Sequence, residues 1–300
     1  MDPVRADDIV DATLLRANKA VSDIFESDVA TIRSELRPGL DDCVREEIES
    51  LKEDTDVVQN KLTVILETTG GYIEVVERMV NVFRRHYTHV NFVIPNWAYS
   101  AGTVLALSGD EIYMDYYSIL GPIDPQFETQ SGDRVPGMGY ISKYKELTAK
   151  INSVSDDDVG SVRAEIAFLL KWFDPAKLFH IEQATEHSKA LLIEWLPKYK
   201  FRNWQNTETR GLSVTEDYKK NRAEQIAKKL ADAEHWHSHG RGISRNDLES
   251  NAIGLKTIDF GADPNLNTNI RHYHGLFRDY MEKLGLIGAI HTKRGLRSVM

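Results

Sequence analysis

Two hydrophobic periods divide the chain. In residues 1–60, Ile24, Val29, Ile32 and Leu36 recur at helical spacing and Pro38-Gly39 interrupts them, which predicts two helices with little core of their own. From Leu62 the pattern tightens. Thr63 to Leu66 is a β-branched run that reads as a strand. After Gly70-Gly71, residues Ile73, Val76, Val80 and Phe83 share one helical face. Val90 to Ile94 predicts a second strand, Ala101 to Ser108 a short buried helix and Glu111 to Met114 a third strand. Strands alternating with helices imply right-handed crossovers and a parallel sheet covered on both faces, with sites forming at the strand ends.

Further along, Asp124 to Gly139 is polar and rich in Gly and Pro, and predicts a loop. Helices are expected over Tyr140–Ser153, from Asp174-Pro175 through Trp195, over Thr215–Glu234 and around Leu276–Leu284. A short strand is expected at Leu255–Ile258, and a weak strand after the last helix. This divides the chain into a helical N-terminal extension (1–60), an α/β domain (61–260) and a C-terminal helical segment (261–300).

Composition narrows the function. The chain has 300 residues, 41% hydrophobic and 28% charged, with a net charge of -9. That balance fits an ordinary globular protein and opposes a nucleic-acid footprint, which needs clustered cations. The small basic group Lys293, Arg294 and Arg297 reads as a solvated tail. No window reaches the length of a membrane span, and the acidic start is not followed by the apolar core of a signal peptide. The lone Cys43 excludes an intrachain disulfide and reads as a small apolar residue in a reducing compartment, so a cytoplasmic location is expected.

The chemistry centres on Tyr99-Ser100-Ala101-Gly102-Thr103. A serine before a helix commonly caps it by accepting an orphan N–H. Here the small residues that follow let a substrate approach, and the Ala101 N–H faces a reacting carbonyl in such a turn. Gly70-Gly71, at the end of the preceding strand, supplies a second N–H for an oxyanion. The bland alternative for the glycines is a turn that needs positive φ.

Glu67-Thr68-Thr69-Gly70-Gly71 and Tyr99 to Leu107, with Asp110-Glu111-Ile112-Tyr113-Met114, Leu120-Gly121-Pro122-Ile123-Asp124-Pro125-Gln126, Trp236 to Ser244 and Gly254-Leu255-Lys256, resemble the serine dehydrogenase proteinase family. That family belongs to the Clp-class serine proteases and is related to signal peptide peptidase A. The resemblance covers roughly residues 60 to 260. It implies an α/β, Clp/crotonase-like ββα superhelix, here with helical N- and C-terminal additions. It also implies a nucleophile at Ser100, an oxyanion hole from Gly70, Gly71 and Ala101, and assembly into a homo-oligomer.

The general base stays open. Clp-type peptidases place a histidine about twenty-five residues after the nucleophile, where this chain has Pro125 and Gln126. The signal peptide peptidase branch uses a lysine beyond the Gly-Pro loop, which points to Lys143 and then Lys145. Such a lysine must be neutral, so burial has to lower its pKa. His239 is the rival base, oriented by Asp124 or Asp247, because triads are assembled in space. The competing role for His239 is to cap a helix and fix a loop. His235 and His239 share a face if the helix continues, as zinc ligands do, but no cysteine is near and Gly240 ends the helix, so no metal or other cofactor is expected. Trp172, Phe173, Trp195, Tyr199, Phe201 and Trp204 read as core or subunit packing, with the grip of an extended peptide as the alternative.

The leading expectation is a serine peptidase that cleaves peptides or partly unfolded proteins through an acyl-enzyme on Ser100. The alternatives are a crotonase-type acyl-CoA hydratase or hydrolase, in which Ser100 only caps a helix, and a catalytically weak assembly scaffold.

Overall fold

The computed structural model describes residues 5–53, 59–123, 125–128, 134–155, 160–207, 211–232, 236, 241–250 and 252–299. Helix α1 (Ala6–Phe25) stops at Glu26, whose φ of 50° turns the chain into β1 (Asp28–Arg33). The chain continues through α2 (Leu40–Glu53), β2 (Lys61–Glu67), α3 (Ile73–His86), β3 (His89–Ile94), β4 (Trp97–Ala98), α4 (Ala101–Leu107) and β5 (Glu111–Met114). Next come β6 (Ile119–Leu120), β7 (Gln126–Glu128) and β8 (Arg134–Pro136), then helices α5 (Gly137–Asn152), α6 (Arg163–Trp172), α7 (Pro175–Lys198) and α8 (Glu216–Leu230). The remainder holds β9 (Ile243–Ser244), α9 (Arg245–Glu249), β10 (Ile258–Asp259), α10 (Pro264–Lys283), β11 (Ala289–Thr292) and β12 (Gly295–Ser298).

The main sheet has seven strands in the order β10-β5-β3-β2-β1-β11-β12. The first five run parallel, and β11 and β12 close one edge as an antiparallel hairpin. Alternation along each strand divides the core. Leu62, Val64 and Leu66 pack under α2, α3 and α4, whereas Val29, Ile65 and Val93 pack with Tyr273 and Phe277 of α10 and Leu14 and Val21 of α1. A small sheet, β4-β6-β9, stands beside the C-terminal ends of β2 and β3 and carries the chain toward Ser100.

The structure corrects the reading of residues 1–60 as a helical extension. Val29 and Ile32 belong to β1, a strand of the main sheet paired with β2 from Asp28 to Arg33. The strand is covered on both faces, so its polar alternation is lost and its apolar residues fall at helix-like spacings by coincidence. Residues 261–300 hold the expected helix as α10 and add two strands to the same sheet, where one weak strand was expected. The three expected segments therefore share one sheet. Within the expected loop at 124–139, β7 and β8 pair as a hairpin.

The basic group near the C-terminus is ion-paired to the body. Arg297 reaches Glu46 and Glu47 of α2, and Lys293 lies 3.7 Å from Asp28. Of the aromatic set, Trp195 and Phe201 are buried in the core, while Trp172 is 61% exposed. Helix α6 was not predicted, and although mostly apolar it buries none of its residues. At the opposite sheet end from Ser100, the buried Asp110 carboxylate accepts from Arg84 at 2.6 Å, from the Val90 N–H at 2.9 Å and from Arg202, which fixes the end of α7 to β3 and β5.

Candidate active site

β2 leaves β3 after the Ile65–Val93 pair and turns toward β4, where Thr68 bridges Ala98. The Thr68 N–H donates to Trp97 O at 3.2 Å and the Tyr99 N–H to Thr68 O at 3.0 Å. This crossing places the glycine turn directly against the serine. A β-carbon on Gly70 would lie 2.7 Å from Tyr99 O and 2.9 Å from Ser100 Cβ, and Gly70 has φ 94°. Only glycine fits there, both for space and for backbone conformation. At Gly71, with φ 148°, a β-carbon would lie 2.2 Å from Leu36 O, because Leu36 donates to Gly70 O and accepts from the Tyr72 N–H.

Ser100 opens α4 with φ 53° and ψ −120°, a conformation an L-residue adopts only under constraint. Its side chain makes no capping bond to the helix, and its hydroxyl has no hydrogen bond among the described residues. The capping role considered for it is therefore not the one it performs. A strained serine on a strand-to-helix turn, with its oxygen uncommitted, has the geometry of a nucleophile elbow. Thr103 braces the turn: its hydroxyl lies 2.9 Å from Ala98 O and 2.8 Å from Gly121 O, and accepts from the Gly121 N–H at 3.0 Å.

The N–H groups around Ser100 divide into used and unused. Gly70 N–H donates to Thr68 Oγ1 at 3.1 Å, which holds the turn closed. The N–H groups of Gly102 and Thr103 bond back to Tyr99 O and Ser100 O. Those of Gly71 and Ala101 have no acceptor among the described residues.

Among the described residues, no candidate base is hydrogen-bonded to Ser100. Lys143 on α5 has a half-exposed side chain paired with Glu146 at 2.9 Å, and Lys145 on the same helix is exposed. His239 and Asp124 lie outside the described residues, as does His235. Asp247 is committed to the N-terminus of α9, where its carboxylate accepts from the Ser244 N–H at 2.9 Å and from the Ser244 hydroxyl at 2.6 Å. Among the described residues there is no cluster of His, Cys, Asp and Glu that would hold a metal, and no helix long and apolar enough to cross a membrane.

The sequence profile of the family described as ClpP-like SDH-type serine proteinase matches residues 49–156, the stretch containing the glycine turn, Ser100 and Lys143. This is the family that the sequence resembles. The mixed α/β architecture around a central sheet agrees with the fold class expected from the sequence. Two uncharacterized proteins of Methanocaldococcus jannaschii are 34% identical over 65 residues and 35% identical over 91 residues. These matches cover 22% and 30% of this chain, and the chain spans 23% and 30% of those relatives. Among solved structures, a mutant of the 1510-N membrane-bound stomatin-specific protease in complex with a substrate peptide is 22% identical, covering 40% of this chain and 55% of that one at a TM-score of 0.33. ClpP1 from Listeria monocytogenes is 13% identical, covering 83% of this chain and 95% of that one at a TM-score of 0.40.

Beneath the turn lies a polar cluster that the sequence reading did not single out. Glu67, the last residue of β2 and 2% exposed, accepts from Arg33 Nε at 2.8 Å, from His274 Nε2 at 2.8 Å and from Asn96 Nδ2 at 3.3 Å. Burial pushes its carboxyl up, but the bonds from His274 and Arg33 outweigh this and hold it at about 2. The available signal was an acid closing an otherwise apolar strand. Its partners come from three other places in the chain, so no local motif announced them.

Proposed function

We propose that this chain is a serine-type peptidase that acts on peptides or partly unfolded proteins through an acyl-enzyme on Ser100. The observation that carries the reading is the positive-φ Ser100, whose hydroxyl and the neighbouring Gly71 and Ala101 N–H groups have no hydrogen-bond partner among the described residues. In the reaction, Ser100 Oγ attacks the scissile carbonyl and passes its proton to a base. The Gly71 and Ala101 N–H groups receive the oxyanion, the protonated base releases the amine, and water then hydrolyses the ester. Gly70 shapes the hole by giving its own N–H to Thr68.

We assign the base to Lys143. In the isolated chain its Nζ pairs with Glu146 at 2.9 Å, so the role requires that this pair open and that the amine be desolvated. Helix α6, packed on α5 with Phe168, Leu170 and Trp172 exposed, gives a second copy a surface to cover, in keeping with a homo-oligomer. A substrate-free sedimentation run reads the assembly directly.

A fluorophosphonate probe tests the nucleophile. Covalent labelling of the wild type that vanishes in Ser100→Ala supports the peptidase; a well-folded oligomer that takes up no label is instead a scaffold or a hydratase. Lys143→Ala is expected to lower peptide turnover at least a hundredfold with assembly intact. Full activity in that variant, with His239→Ala inactive, transfers the role to the histidine.

A further inference from the structure

The buried acid under the glycine turn occupies the point where β2 and β3 separate. Their ladder ends at Ile65–Val93, and β2 next forms a backbone bridge at Thr68–Ala98. Between these points the Glu67 carboxylate spans the gap. Its Oε2 accepts from Asn96, on the segment leading to β4, and from His274 of α10, while Oε1 accepts from Arg33 of β1. An ionised carboxylate only accepts, so His274 Nε2 carries the hydrogen. Arg33 is also 3.7 Å from Glu282 of α10, and Arg271 of α10 bonds Pro95 O and Asp115 beside the same segment. β1, the segment leading to β4 and α10 are thus tied to one side chain. Thr68, the next residue, holds the Gly70 N–H.

Resting on the reading of Ser100 as nucleophile, we propose that Glu67 is a positioning residue for catalysis: held by Arg33, Asn96 and His274, it sets where β2 ends and so where the oxyanion turn stands relative to Ser100. Glu67 does not touch substrate. Its effect passes through Thr68 to Gly70 and Gly71, so its loss moves the hole more than the surface that binds the peptide. Transition-state contacts weaken when donors shift by fractions of an ångström, whereas ground-state binding is less sensitive.

The experiment compares Glu67→Gln, His274→Gln and His274→Ala with the wild type in peptide turnover, fluorophosphonate labelling and thermal melting. Glu67→Gln keeps the volume but turns one acceptor into a donor. It is expected to lower kcat at least tenfold with KM within twofold, and to slow labelling in parallel. His274→Gln retains an N–H donor and is expected to keep more than half of kcat, whereas His274→Ala falls with Glu67→Gln. A purely structural role predicts lower melting temperatures with kcat per folded molecule unchanged, and that result overturns the proposal. If Glu67→Gln does not fold, Asn96→Ala removes only the 3.3 Å bond and is expected to lower kcat three- to fivefold; wild-type kcat in that variant also overturns it. Absence of wild-type labelling at Ser100 refutes the peptidase reading itself. Normal labelling in both wild type and Glu67→Gln refutes the positioning role alone.

Discussion

Ser100 stores strain at the point where chemistry is proposed. A non-glycine residue held at φ 53° and ψ −120° costs about 1–3 kcal/mol, and it persists because Gly70, Thr103 and the Gly121 carbonyl hold both sides of the turn. Ser100→Ala removes the oxygen but keeps the β-carbon in the same conformation; Ser100→Gly removes both. Ser100→Gly is therefore expected to be more stable than Ser100→Ala by about 1 kcal/mol, read as the difference between their urea unfolding free energies. Equal stabilities would show that the turn is relaxed. At this scale the sequence was informative where chemistry and backbone demand coincide: Ser100, Gly70 and Gly71 stand in short local runs. It gave Glu67 no role and was silent on Asn96 and His274, because the three meet only when the chain has folded.

Helices with a cap and an apolar face were readable, because both signals are local. Asp174 before Pro175 accepts from the Ala176 N–H at 2.9 Å, and Thr215 accepts from the Tyr218 N–H at 3.2 Å, as those residues foretold. Strand β1 was not readable as what it is, because burial on both faces removes the alternation that marks a strand, and β11 was legible only as a weak strand. β11 carries a polar residue into that interior. His291 is 1% exposed, and its Nδ1 lies 2.5 Å from the Tyr273 hydroxyl, to which Asn18 of α1 also donates at 2.9 Å. Burial lowers the His291 pKa from 6.5 to about 4. A pKa lower in the folded than in the unfolded protein gives stability that is complete above pH 6.5 and is lost as pH falls through about 4. The shift corresponds to about 3 kcal/mol. Denaturation midpoints are expected to fall across that window, and His291→Gln is expected to flatten this part of the profile. An unchanged slope in the variant would assign the acid sensitivity to other groups.

Across the whole molecule, one sheet draws on residues from nearly the full length of the chain. β1 sits between β2, its near neighbour in sequence, and β11, so that Thr31 pairs with His291. A ribosome delivers these partners far apart in time. While residues 68–288 are being made, β1 has β2 as its neighbour on one side only, and its other backbone edge is open to any extended segment that passes. Closure by β11 is a contact of very high sequence separation, the class that forms slowly. The nascent chain thus offers, for most of its synthesis, a template for β-pairing that the finished protein conceals.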